Sequence, residues 1–259
     1  MFQTVATQKN FNHDLIDLNL PELDRYTYKF DDGKTERHYR LGNEDMYFAS
    51  VTTMLGEQPE KKKSLEQWRK RVGDKEADRK MNKGGNRGTR LHEVCEKYIL
   101  NEPNVCRGAF PDVIELFKLV KPILDERIDN IRAVEARMYS KKLLLAGTVD
   151  LVADFDGELT IIDFKTAHNI PNGSVLDGHA IQMCAYAYMW NEITGMDIDR
   201  MVNIYAIHSG QYSTADRFCH EAKSDVIFKK DYLKQLYAAR YVYEKANSTR
   251  GVVSKTIEK

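Results

Sequence analysis

Asp150, Asp163 and Lys165 are the residues whose spacing could do chemistry in this 259-residue chain. Between the two acids lie two apolar, β-branched runs, Leu151–Phe155 and Glu158–Ile162, around Asp156-Gly157. An Asp-Gly pair between such runs is the strongest short-range signal for a two-residue hairpin turn. With the turn at 156–157, residues whose numbers sum to 313 face each other, so Asp150 stands opposite Asp163 and Thr148 opposite Lys165. Facing side chains on one sheet surface have Cβ atoms about 4.5–5.5 Å apart, and like charges there repel. Val152 and Ile161, next toward the turn, offer little water, and a divalent cation is the usual remedy for such a pair. Lys165 is two residues beyond Asp163 and points to the same face. The competing reading is a hairpin with solvated surface charges. Both strands read as buried on both faces, which works against it.

Other elements must hold this hairpin in place. Thr89 is a candidate N-cap for a helix running to about Asn101, with Leu91, Val94, Cys95, Tyr98 and Ile99 on one face. Gly84-Gly85-Asn86-Arg87-Gly88 before it is expected to be a flexible loop. His92 lies at the edge of the apolar stripe. A second helix is expected over Phe110–Ile128 and a strand over Ile131–Ser140, which carries Glu135. Ala180–Trp190 reads as a helix apolar nearly all round, hence buried, with the polar Gln182 and Tyr186 at i and i+4. Met201–His208 reads as a further strand, Ala215–His220 as an edge strand and Ser224–Lys245 as a long helix. Short strands are expected over Tyr26–Phe30, Glu36–Leu41 and Asp45–Ala49, after an irregular start whose Leu15–Leu20 patch could dock on the body.

The chain has 39 basic and 39 acidic residues. Yet residues 61–90 hold twelve Lys or Arg against four Asp or Glu, a footprint suited to a polyanion. Trp68, Arg69, Arg71, Lys83, Arg87 and Arg90 are its candidate contacts with such a polyanion. Trp68 could stack on an unpaired base, or anchor a helix to the core. A solvated helical surface is the alternative for the whole run. Cys95, Cys106, Cys184 and Cys219 form no CxxC pair, which argues against a zinc site or an iron–sulfur cluster and for reduced thiols. No run is long enough to cross a membrane, and the N-terminus resembles neither a signal nor a transit peptide.

Gly-Thr-Val-Asp150 followed by Ile-Asp163-Phe-Lys165 resembles the core of the PD-(D/E)XK nucleases, and within it the RecB-like exonuclease branch. Gly88-x-x-x-His92 is similar to that branch's helical histidine motif, and Gln182-x-x-x-Tyr186 to its QxxxY motif. Ser50-Val51-Thr52 is similar to a stretch of the mitochondrial genome maintenance exonucleases. The resemblance implies an α/β, restriction-endonuclease-like core: a mixed central sheet flanked by helices, with an N-terminal β-plus-helical subdomain. The boundaries would be 1–88 for that subdomain, 89–246 for the nuclease core and 247–259 for a flexible tail.

It further implies one or two Mg²⁺ or Mn²⁺ ions held by His92, Asp150, Asp163 and the Phe164 carbonyl, with Glu93 or Glu135 as further candidates. Lys165, Asp163, Asp150, Gln182 and Tyr186 would be catalytic. The expected activity is exonucleolytic DNA hydrolysis on single-stranded ends, alongside replication or recombination proteins. The expected place is the cytoplasm of a bacterium or phage-infected cell, ahead of a mitochondrial matrix. A nucleic-acid-binding module that has lost turnover and an endonuclease of the same fold are the rivals.

Overall fold

Asp156 and Gly157 both take positive φ, 54° and 81°, the two left-handed residues that a type I′ hairpin turn requires. The ladder they set pairs Phe155 with Glu158 and Leu151 with Ile162, the register of numbers summing to 313. In the computed structural model, residues 9–29, 35–42, 46–169, 171, 173–209 and 219–248 are described. The element order is β1 (Leu23–Lys29), β2 (Thr35–Leu41), β3 (Tyr47–Ser50), α1 (Val51–Gly56), α2 (Pro59–Val72), α3 (Asp74–Ile99), α4 (Pro111–Arg127), β4 (Ile128–Ser140), β5 (Leu145–Phe155), β6 (Glu158–Ala167), α5 (Gly173–Thr194), β7 (Arg200–Ser209), β8 (Cys219–Phe228) and α6 (Lys229–Ser248).

All eight strands join one mixed sheet, ordered β1-β2-β3-β5-β6-β7-β8, with β4 on the other edge of β5. The helices form two outer layers. α1, α5 and α6 cover one face over Met54, Met183, Trp190 and Leu236. α3 and α4 cover the other over Leu91, Tyr98, Leu116 and Leu124. The architecture is the expected mixed α/β sheet flanked by helices. Phe11 is buried against Tyr98 and His13 bridges to Ile131, while Ile16 and Leu18 pack on the α5 side, so the irregular N-terminal stretch docks on the body.

One edge of β5 is shared by two strands. β3 pairs in parallel with its start, at Leu145 and Ala146, and β6 pairs with its end, from Leu151 on. Between them, residues 147–150 have no ladder partner on that edge. β6 leaves β5 there and continues beside β7 to Ala167. A strand fork of this kind frees backbone groups at the sheet's middle, which is where the chemistry-bearing residues lie.

Two expectations are corrected. Residues 84–88 are not a loop but lie inside α3, a 26-residue helix; the chain breaks earlier, at Gly73 with φ 85°. Long helix-forming stretches on both sides outweigh the roughly 1 kcal/mol that each glycine costs. The position 88/89 therefore falls within a helix, and β1–β3 belong to the same sheet as β5. Ser224–Phe228 is strand rather than the start of a helix, because Val226 and Ile227 pair with Val202 and Met201 of β7. Of the edge strand expected over Ala215–His220, residues 215–218 lie outside the described residues, and β8 begins at Cys219.

Candidate active site

Asp150 sits in the fork. Its ladder ends one pair short, so Asp150 and Asp163 are not hydrogen-bonded strand partners; instead the Phe164 N–H donates to Asp150 Oδ2 at 2.8 Å. From α3, His92 reaches the same carboxylate, Nδ1 to Oδ2 3.4 Å, while its Nε2 lies 2.6 Å from the Phe164 carbonyl. Glu135 of β4 is brought alongside by its neighbours, since Val134 pairs with Leu151 and Ala136 with Val149. Glu135 itself has φ 45°, which is uncommon for a residue with a side chain and is the kind of strain found at functional sites. Ligating atoms of His92, Glu135 and Asp150 lie within 4.8 Å of one another. Glu93, one position round the helix, is exposed and outside this group.

Asp163 is 1% exposed and pairs with the Lys165 ammonium. The ammonium lies directly against Asp163 Oδ2, so the two buried charges compensate each other.

The charges in the fork pull one another's protonation apart. Burial alone would lower the His92 pKa, but the charge and hydrogen bond of Asp150 outweigh it and raise His92 to about 9. Burial would raise Asp150, and the same imidazolium, with Lys165 and the Phe164 N–H, holds it below the carboxylate range. Asp163 is pushed up by burial and by Asp150, against the pull of Lys165. Burial, then Asp150, raises Glu135 to about 7, with Glu96 adding to the shift. A carboxyl whose folded pKa lies above its unfolded one costs stability as pH climbs through that interval, and the full cost is present above the folded pKa. Glu135→Gln is therefore expected to raise the melting temperature of cation-free protein at pH 8 and to leave it unchanged near pH 4. Thermal melts at the two pH values check this.

Tyr186 of α5 closes the fork from the other face. It is buried, accepts a hydrogen bond from Gln182 Nε2 at 3.1 Å, and has its phenol pKa raised by burial and by the charge of Asp163. Its ring lies over Gly147 so closely that a Cβ there would stand 2.7 Å from Tyr186 Cε1 and 3.2 Å from its hydroxyl oxygen. The glycine of the Gly-Thr-Val-Asp150 stretch is thus a seat for the tyrosine ring. Gly147→Ala is expected to cost about 1–3 kcal/mol of stability by overpacking, read by denaturant melts, and to lower cleavage by displacing Tyr186. Gly88 plays a milder version of this role on α3, where a Cβ would meet Thr166 Oγ1 at 3.4 Å.

The imidazole of His92 with the carboxylates of Glu135 and Asp150 is a donor set that fits a divalent cation of the oxygen-preferring kind. The chain matches the family model of the PD-(D/E)XK nuclease superfamily over residues 36–206, more than half of its length. The chain belongs to that superfamily. No curated protein matches the sequence. Among solved structures it is similar to a crystal structure from Eubacterium rectale described as "Putative exonuclease", with 12% identity, a TM-score of 0.39, and coverage of 68% of this chain and 76% of that one. In this PD-(D/E)XK nuclease the fork brings together His92, Glu135 and Asp150, sets the Asp163–Lys165 pair in β6 just beyond them, and backs them with Gln182–Tyr186.

The basic run of the nuclease lies on α2 and α3, and part of it is already spoken for. Arg69 reaches Asp74 and Asp78, Lys70 reaches Glu66, and Arg79 and Lys80 reach Glu76. α2 has no buried residue, and Trp68 on it is half-buried. Two groups near Lys165 were not legible in the sequence. Burial, then the charges of Lys165 and Lys61, lowers the pKa of His179 to about 3, and its Nδ1 is 2.8 Å from the Tyr205 hydroxyl. Lys61 is surface-exposed on α2, yet close packing and the Lys165 charge lower its pKa too. Only tertiary packing joins these segments, and no local pattern marks them. Among the described residues no helix is long and apolar enough to cross a membrane.

Proposed function

We propose that this superfamily member is a DNA exonuclease of the RecB-like branch that hydrolyses phosphodiester bonds from the free ends of single strands. The observation that carries the reading is the convergence of His92, Glu135 and Asp150 in the strand fork, with the Lys165–Asp163 pair beside them. A Mg²⁺ or Mn²⁺ ion held by His92, Asp150, Asp163 and the Phe164 carbonyl, with Glu135 as a further ligand, would neutralise phosphate charge and make bound water more acidic.

The chain's own groups do the rest. Lys165, its ammonium set against Asp163, orients the attacking water and stabilises the negative charge that develops on the phosphate. Gln182 and Tyr186, linked to each other, position that water or the scissile phosphate from the opposite face. The Phe164 N–H fixes one oxygen of Asp150, leaving the rest of its lone pairs for the ligand.

The cations of α2 and α3 would lead a strand toward the fork, and an entrance narrowed by these helices would admit only an unpaired end. Work on free ends places the enzyme with replication, recombination or repair of DNA in a bacterial or phage-infected cell. Linear single strands are expected to be degraded at least tenfold faster than closed circular single strands of the same sequence. Gel assays with both substrates decide it, and equal rates reject the threading of ends.

A further inference from the structure

α3 carries a second feature before it reaches His92. Lys83, Asn86, Arg87 and Arg90 line a cleft of about 370 Å³ together with Phe110 and Asp112 at the start of α4. Phe110 is 50% exposed, unusual for a phenylalanine next to three cations. The Arg90 guanidinium stacks over its ring at 4.0 Å. Arg87 Nε is buried and, among the described residues, has no hydrogen-bond partner. The one acid at the rim, Asp112, accepts the Val113 N–H at 3.0 Å. The positive end of the 17-residue α4 opens on the same space.

We infer that this cleft is a nucleotide seat on the path of the substrate strand: Arg87, Arg90 and Lys83 take a backbone phosphate, and the adjoining base stacks on Phe110. The single-stranded ligand class rests on the function proposed above. A guanidinium laid on an aromatic ring leaves its N–H edge for phosphate and the rest of the ring for a base, so the two halves of a nucleotide meet the two halves of the pair. Arg87 precedes His92 by five residues on α3, roughly 7–8 Å along the axis and about 140° round it. The cleft thus opens on the side of α3 turned away from His92, and a nucleotide held there is one remote from the scissile bond.

The test is fluorescence anisotropy with the full chain, a labelled twelve-residue oligo-dT strand and EDTA, so that affinity is read without turnover. Phe110→Ala is expected to weaken binding at least fivefold, the smaller end of a stacking contact. An otherwise identical abasic strand should bind Phe110→Ala and wild type alike. Arg87→Gln with Arg90→Gln is expected to weaken binding to both strands and to reduce the slope of log K against log salt by about 1.4, which is 0.7 per cation lost. Circular dichroism melts verify that the variants are folded. Unchanged affinity and salt slope in folded variants overturn the seat, as does an equal Phe110→Ala effect on the abasic strand. Cleavage with added cation is a separate readout. Wild type that cuts nothing removes the nuclease reading, while the binding results still decide the seat.

Discussion

Lys165→Met is expected to leave a folded protein whose cleavage is lower by about 10³-fold, the scale on which one proton-handling or charge-stabilising group counts. Lys165 does two jobs that separate on substitution. Toward substrate, in the role proposed for it, it supplies the ammonium that lies against the buried Asp163. Toward the fold it neutralises a carboxylate that is 1% exposed. Removing one partner of a buried pair commonly costs about 3–5 kcal/mol, because the other charge is left alone. Asp163 already has a raised pKa from burial and from Asp150, so it escapes that cost by taking up a proton. The sign follows. A carboxyl with a raised folded pKa penalises stability above that pKa, so the Lys165→Met defect should be large at pH 8 and shrink as pH falls toward 4. Asp163→Asn should lose cleavage as fully but without that pH-dependent instability, since no buried carboxyl is left to ionise there and the Lys165 ammonium left behind still has the charge of Asp150 nearby. Oligonucleotide digestion with matched thermal melts measures both. Undiminished cleavage in both variants removes the site.

How much of this was open to view in the sequence depends on whether the cause was local. The hairpin was, because Asp156-Gly157 supplies two left-handed residues and the pattern on either side admits one register. The Gln182–Tyr186 contact was, because i and i+4 meet on any helix. Reading the fork was harder. The facing rule puts Asp150 against Asp163 as a ladder pair, but β6 also answers to β7, and its departure lets the Phe164 N–H take Asp150 instead. Glu135 and Glu93 could not be ranked from the chain, since the choice turns on the β4 register. The reason for Gly147 was hidden as well: it is the ring of a residue 39 positions away. Gly84–Gly88 misled because glycine clusters mark loops on average, whereas here a continuous helix was needed to carry His92 to the sheet. Phe110 gave no sign, since an apolar residue just before a helix reads as core or staple until its exposure is seen.

Chelation is expected to stop cleavage altogether, with Mg²⁺ or Mn²⁺ restoring it, and the pH dependence of that restoration tests the donor set itself. In the cation-free protein the His92 imidazolium already bridges Asp150 and the Phe164 carbonyl. It stands where a positive ion would stand, and its pKa of about 9 measures how well the acids hold it. Binding of a cation through His92 must expel that proton, so proton and cation compete for one place. Below pH 9 the apparent affinity for the cation should then rise by up to tenfold per pH unit, flattening above it. About one proton should be released per ion bound at pH 7.5, which calorimetry in buffers of different ionisation enthalpy can count. At a hundred times its dissociation constant the ion should add about 2.7 kcal/mol of stability, visible as an upward melting shift. Asp150→Asn should abolish that shift, because it removes both the imidazolium's partner and the shared ligand. A pH-independent affinity would mean that His92 keeps its proton and that the ion is held by the carboxylates without it.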